Sequence, residues 1–113
     1  MHEYSIVQAL LNQCEDIAKE NKAKKINSVI TKIGVLSGVE PDLLKTAFDT
    51  FKEGTICEGA ELVMNIQKLI LYCSDCKSDS ELNDFYAKCP KCGSLNTRVV
   101  DGEDMYLMSL EME

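Results

Sequence analysis

The chain has 113 residues, a formal charge of -7 from 19 Asp and Glu against 12 Lys and Arg, and 45% hydrophobic residues. A domain of that length buries only about two-thirds of its unfolded surface, which excludes a second large core. The acidic balance opposes binding to phosphate backbones, no apolar run approaches the ~20 residues that span a bilayer, and no basic stretch followed by an apolar one marks a secretory signal. These features predict a soluble, cytoplasmic protein with no nucleic-acid or membrane partner.

Ile6, Val7, Leu10, Leu11, Cys14, Ile17 and Ala18 recur with the period of an amphipathic helix. Ser5 and Gln8 have the spacing of a capping box, which starts this helix immediately after residues 1–4 and holds those residues against its N-terminus. Lys19, Lys22, Lys24 and Lys25 cluster at the expected helix end, where cations suit the dipole. Residues 26–36 form a predicted strand: Val29, Thr31, Ile33 and Val35 alternate onto one face, and Ser37 and Gly38 close it. In a second helix Pro41 takes a first position, Leu43, Leu44, Ala47, Phe48 and Phe51 make the apolar stripe, and Gly54 supplies the stop.

Residues 61–72 alternate with Leu62, Met64 and Ile66 on one side, but from Lys68 the apolar positions change phase to Leu69 and Leu71. Such a shift implies either a bulge or a strand that leaves its sheet for another module. Tyr106, Met108, Leu110 and Met112 alternate again, so the chain returns to the first sheet after an excursion over residues 73–97. The expected fold is α+β: two helices packed on a small sheet of about three strands, with a zinc-ribbon-like module inserted. Residues 1–72 with 98–113 make the main domain and 73–97 the insertion.

The excursion is polar, so apolar packing alone does not order it. It holds four of the six cysteines as C-x2-C and C-x2-C, namely Cys73, Cys76, Cys89 and Cys92. Two such turns folded together form a tetrahedral S4 cage suited to structural zinc; iron also accepts tetrahedral thiolates, and spacing does not separate the two. Pro90 stiffens the second turn, and Gly93 lets backbone N–H groups approach the sulfurs. Four thiolates leave no open coordination position, so this metal does not activate water. Cys14 reads as core, and Cys57 has no partner visible in the sequence.

His2 is the only histidine. Beside a free amino terminus, its imidazole, the terminal amine and the intervening backbone nitrogen close fused chelate rings around one ion, a planar set suited to Ni(II) or Cu(II). The site needs Met1 to remain, and a bulky second residue generally blocks its removal. Alone, a Met-His start is weak evidence, because many chains begin that way by chance.

"MHEYSIV", "KIGVLSGVEPDLLKTAFDTF", "CSDC", "CPKCG" and "GEDMYLMSLEME" together resemble the HypA-type nickel-incorporation proteins of hydrogenase maturation, over nearly the whole chain. The resemblance implies a nickel site at Met1, His2 and Glu3. It assigns Met1 the amine, His2 its amide and imidazole, and Glu3 a backbone nitrogen, with the carboxylates of Glu3 and Glu40 in a supporting or alternative role. It places zinc on Cys73, Cys76, Cys89 and Cys92. Some relatives carry histidines beside the cysteine pairs and this chain has none, so any imidazole-based pH response runs through His2.

The implied function is that of a nickel metallochaperone, not an enzyme, carrying Ni(II) as transient cargo and Zn(II) as a structural ion. Its implied partners are a nickel-binding maturation GTPase and a hydrogenase large-subunit precursor, with urease accessory proteins where urease is present. The alternative is a zinc-ribbon protein-interaction adaptor without nickel. Acyl- or phosphoryl-transfer chemistry is disfavoured, because the sequence offers no second His, no phosphate loop and no nucleophile with an oriented base.

Overall fold

The computed structural model describes residues 2–84 and 87–113, with the side chain of His2 outside the description. Its elements are α1 (His2–Glu20), β1 (Ile26–Gly34), α2 (Pro41–Phe51), β2 (Glu61–Gln67), β3 (Leu69–Cys73), β4 (Ser78–Leu82), β5 (Thr97–Asp101) and β6 (Met105–Met112). They make two three-stranded sheets, of order β2-β1-β6 and β4-β3-β5. The α+β expectation holds: two helices and a small sheet, with the four-cysteine module inserted between β2 and β6.

Two compact units divide the chain. The first comprises Met1–Lys32, Val39–Asn65 and Tyr106–Glu113. Its core is the apolar stripe of α1 (Val7, Leu10, Leu11, Cys14, Ala18) with Leu44 and Phe48 of α2, Ile26 and Val29 of β1, Leu62 of β2, and Cys57 and Ala60 from the preceding turn. Burial of each large side chain stabilises by about 1.5–3 kcal/mol. Thr31 is also buried, and its hydroxyl donates to the Val63 carbonyl at 2.8 Å, which removes the penalty for a polar group in the core.

Pro41 stands at the start of α2 as expected. The helix stops at Phe51, with Lys52 as a right-handed C-cap, while Gly54 takes the positive φ of +77° two residues later. At the other edge of the sheet Lys25 and Glu113 exchange N–H···O bonds of 3.1 and 2.9 Å, so the end of β6 runs antiparallel to the start of β1. The final strand thus returns to the first sheet as expected, but Tyr106 and Met108 of the expected apolar face are exposed, and the alternation changes phase at Ser109.

α1 departs from expectation at its beginning. It starts at His2 rather than after Tyr4, and Ser5 lies inside the helix instead of capping it. Tertiary contacts override the capping-box spacing. The Tyr4 ring meets Phe51 of α2 edge-on, with centroids 4.6 Å apart and planes at 68°. Glu3 also places its carboxylate in the first turn, where the helix dipole favours it.

The second unit comprises Ile33–Gly38 and Ile66–Met105. The phase change at Lys68 is where the chain leaves one sheet for the other: β2 ends at Gln67 and β3 opens at Leu69 beside new neighbours. Two glycines permit close backbone packing within this unit. A Cβ on Gly34 would lie 2.3 Å from the Gly102 carbonyl oxygen, and one on Gly102, at φ +100°, would lie 2.8 Å from the Leu69 Cα. Within this unit Val35 N–H donates to Gln67 O at 3.0 Å and Leu36 N–H to Gly102 O at 2.9 Å. Because Gly34 is used this way, β1 ends there, and Val35 is exposed rather than continuing the alternation.

The excursion carries more regular structure than its polarity predicts. β4 pairs antiparallel with β3 from Leu69↔Leu82 to Cys73↔Ser78, and β5 flanks β3 on its other side with a register shift at Ile70/Leu71. In β4 the inward positions include Ser80, which is 7% exposed yet has no apolar signature. That substitution of polar for apolar hides the strand from periodicity.

Candidate metal centres

The first cysteine turn is built by a hairpin. Cys73 ends β3 opposite Ser78, and the four residues between them turn through Lys77, which adopts a left-handed φ of +53°. This places Cys76 beside Cys73, with the Cys76 N–H donating to the Cys73 sulfur at 3.5 Å. The second turn closes when Gly93 N–H donates to Cys89 O and Cys89 N–H to Ser94 O, each at 2.8 Å, with Gly93 at φ +80°. Lys91 N–H donates to the Cys89 sulfur at 3.4 Å, so that contact comes from the residue after Pro90, while the Gly93 amide serves a carbonyl.

The four sulfurs lie within 4.8 Å of one another, with Cys73 to Cys92 at 3.5 Å and Cys76 to Cys89 at 3.7 Å. Metal–sulfur bonds of about 2.3 Å in a tetrahedron place ligands about 3.8 Å apart, so the cage fits a thiolate-binding dication. Cys73 and Cys89 are buried, whereas Cys76 and Cys92 face solvent.

Backbone N–H donors prepare two of these sulfurs for the anionic form. The Cys76 amide first, and then the Cys92 thiol, lower the Cys73 pKa. The amides of Cys92 and Lys91 hold Cys89 down to about 6. For Cys92 the Ser94 amide pulls downward, but the neighbouring sulfurs, chiefly Cys73, push it up to about 12. Four adjacent thiols do not all ionise unaided, and a cation supplies the missing charge.

Further contacts that spacing did not disclose support the cage. Ser78 Oγ lies 3.1 Å from the Cys76 sulfur, and its hydroxyl donates there whenever that sulfur is a thiolate. Ser94 Oγ donates to the Asp75 carboxylate, and Lys91 Nζ donates to the Asp79 carbonyl at 2.7 Å, tying the second turn to the first hairpin. A hydroxyl two residues after a cysteine was the only sequence signal for Ser78.

The amino-terminal candidates lie in the first unit. Glu40 is the N-cap of α2, in an extended conformation with no side-chain cap bond. Its backbone N–H donates to Glu3 Oε2 at 3.3 Å, so Glu3 and Glu40 stand together. His2 occupies the first turn of α1, where helix geometry supplies no carbonyl four residues back to accept the amide protons. Met1 and the His2 imidazole lie outside the described residues. Beside Glu3, an apolar hollow of about 400 Å³ is lined by Tyr4, Leu43, Ala47 and Phe51 with Thr46 and Thr50. The exposed members of the α2 stripe, Leu43 and Phe51, belong to this hollow rather than to the core.

The family model for "Hydrogenase/urease nickel incorporation, metallochaperone, hypA" matches residues 1–112. A hydrogenase maturation factor HypA from Aquifex aeolicus is 58% identical over 113 residues, covering 100% of this chain and 98% of the relative. The factor of the same name from Campylobacter jejuni is 44% identical over 114 residues, with 100% of each chain covered. Among solved structures, the solution structure of the nickel metallochaperone HypA from Helicobacter pylori is similar at 40% identity and a TM-score of 0.70, covering 97% of this chain and 96% of that one. A second solution structure, of a HypA protein, reaches 41% identity and a TM-score of 0.77, covering 100% and 97%.

Proposed function

The chain belongs to the HypA family of hydrogenase and urease nickel-incorporation metallochaperones, and from that membership we propose that its amino terminus holds Ni(II) and passes it on during hydrogenase maturation. Nickel is the cargo here, not a resident cofactor. The proposed donors are the Met1 amine, the His2 amide and imidazole and the Glu3 amide, with the carboxylates of Glu3 and Glu40 as supporting or alternative ligands. The observation that carries this reading is the 3.3 Å contact of Glu3 with Glu40, which supports a cluster at the start of α1 drawn from two elements.

The helical position of these residues favours the chemistry. Deprotonating an amide inside a helix breaks a hydrogen bond, whereas the first-turn amides have no intrahelical partner to lose. Binding displaces protons from the amides and requires neutral His2, so affinity rises with pH and falls as the imidazole protonates. Nitrogen donors on a chain end are exchanged one at a time, which suits delivery to a recipient.

The cage of Cys73, Cys76, Cys89 and Cys92 holds Zn(II) as a structural ion in this reading, supported by its closed tetrahedral donor set. Residues 1–72 and 98–113 carry the nickel function and 73–97 the zinc module. The recipients are a nickel-binding maturation GTPase and the hydrogenase large-subunit precursor, with urease accessory proteins where urease is present, all in the cytoplasm. The protein is not an enzyme: it moves an ion by ligand exchange and turns over no substrate.

The test is His2→Ala in untagged protein. It removes one bound Ni(II) per chain and leaves one zinc in place, by metal analysis of the gel-filtered protein. Undiminished nickel binding in that variant overturns the assignment.

A further inference from the structure

The four sulfurs of the cage are not equivalent. Cys73 and Cys89 are 1% and 2% exposed, whereas Cys76 and Cys92 face solvent. The two exposed cysteines, one from each turn, line a single hollow of about 410 Å³ together with Asp75, Gly93 and Ser94. The closest sulfur contacts cross between the turns, and each joins an exposed cysteine to a buried one: Cys76 to Cys89 at 3.7 Å and Cys92 to Cys73 at 3.5 Å. The buried members are held in place from behind, Cys73 by the Cys76 N–H at 3.5 Å and Cys89 by the Lys91 N–H at 3.4 Å.

We propose that this open edge of the cage is a thiol modification site, at which hydroperoxides oxidise Cys76 or Cys92 and the buried cysteine facing it across the cage closes a disulfide, releasing the zinc. The proposal rests on the zinc reading given above. A metal-bound sulfur is already a thiolate, the form that attacks peroxide, and exposure decides which thiolates an oxidant reaches. The hollow admits it to Cys76 and Cys92, while Cys73 and Cys89 lie behind them. The cross-turn contacts then decide the partner. A Cys76–Cys89 or Cys73–Cys92 bond keeps the two turns tied to each other as the metal leaves, whereas a bond within either C-x2-C turn would leave them untied.

The chemistry balances with hydrogen peroxide as the oxidant. The Cys76 thiolate attacks one peroxide oxygen, an S–O bond forms, the O–O bond breaks, and the departing hydroxide takes a proton from solvent to become water; Cys76 is now a sulfenic acid. The Cys89 thiolate then attacks the Cys76 sulfur, the S–S bond forms, the S–O bond breaks, and the hydroxide takes a second proton. Two thiolates, one peroxide and two protons yield one disulfide and two waters. The same steps join Cys92 to Cys73. Losing two of four thiolates removes the closed donor set that held the dication.

Trypsin combined with an endoproteinase that cuts before Asp places each cage cysteine on its own peptide, residues 69–74, 75–77, 89–91 and 92–98. The experiment first measures zinc in the intact protein; a cage without zinc overturns the zinc reading and this proposal together. Zinc-loaded protein is then treated with hydrogen peroxide beside a chromogenic zinc chelator, the remaining thiols are blocked under denaturing conditions, and the peptides are mapped by mass. The expected result is zinc release in step with the joined pairs 75–77/89–91 and 69–74/92–98, separated again by dithiothreitol. With dimedone present to trap sulfenic acids, label on 75–77 and 92–98 exceeds that on 69–74 and 89–91 by roughly 5-fold. The proposal alone is overturned if the joined pairs are 69–74/75–77 or 89–91/92–98, or if dimedone marks all four cysteines equally. It is equally overturned if zinc stays bound while the exposed Met108 of the same chain becomes a sulfoxide. Because these readouts involve no nickel, failure of the nickel assignment leaves them unchanged.

Discussion

Cys73, Cys76, Cys89 and Cys92 bring four sulfurs within 4.8 Å of one another from two short turns, whereas Glu3 of α1 accepts, at 3.3 Å, the backbone N–H of Glu40, the residue before α2. The first arrangement is local and over-determined: amide donors, a strand pair and side-chain ties all fix the same cage. The second depends on where a helix happens to start and on what holds its first turn. A structural ion suits the closed site, and a cargo ion suits one that opens by moving a chain end. Breaking the two sites should therefore have unlike consequences, global for the cysteine module and local for the start of α1.

The largest effect is expected from metal removal. Stripping zinc with a strong chelator, or replacing Cys89 by Ser, withdraws a binding free energy of about 10–16 kcal/mol from the module. The amide signals of residues 69–101 should collapse in an NMR spectrum while those of α1 and α2 persist; a spectrum unchanged without metal contradicts the structural role. Next comes Phe48→Ala, which empties a fully buried site in the first unit and should lower stability by about 3–5 kcal/mol in urea denaturation. Zinc content should survive that change, and its loss would show that the two regions are not distinct.

Ser78→Ala should leave the fold intact but speed zinc loss to a chelator by roughly 10-fold, since it removes the hydroxyl beside the Cys76 sulfur. Equal rates in the variant would remove Ser78 from the account. Smallest is Tyr4→Ala, which deletes the edge-on contact with Phe51 and should lower stability by only about 1 kcal/mol. It should loosen the first turn of α1, read as faster amide exchange there and weaker nickel binding, with zinc untouched.

How far the sequence could be read follows the same division. Cysteine spacing disclosed the cage because both turns are made from neighbours in the chain. The phase change at Lys68 disclosed the crossing between sheets, since side-chain alternation records which face a strand presents. Ser78–Leu82 stayed hidden as a strand because a serine fills its inward position. The capping spacing of Ser5 and Gln8 misplaced the helix start because Tyr4 packs on a residue far along the chain, which local pattern does not register.

The central claim is that the nickel site is made by the chain's own beginning, and the most direct test compares untagged protein with a version carrying one extra residue before Met1. Native mass spectrometry of each, after equilibration with one equivalent of Ni(II), counts both metals on the intact chain. The account predicts one zinc and one nickel on the untagged protein, and one zinc with no nickel on the extended one. Equal nickel occupancy on both would contradict it.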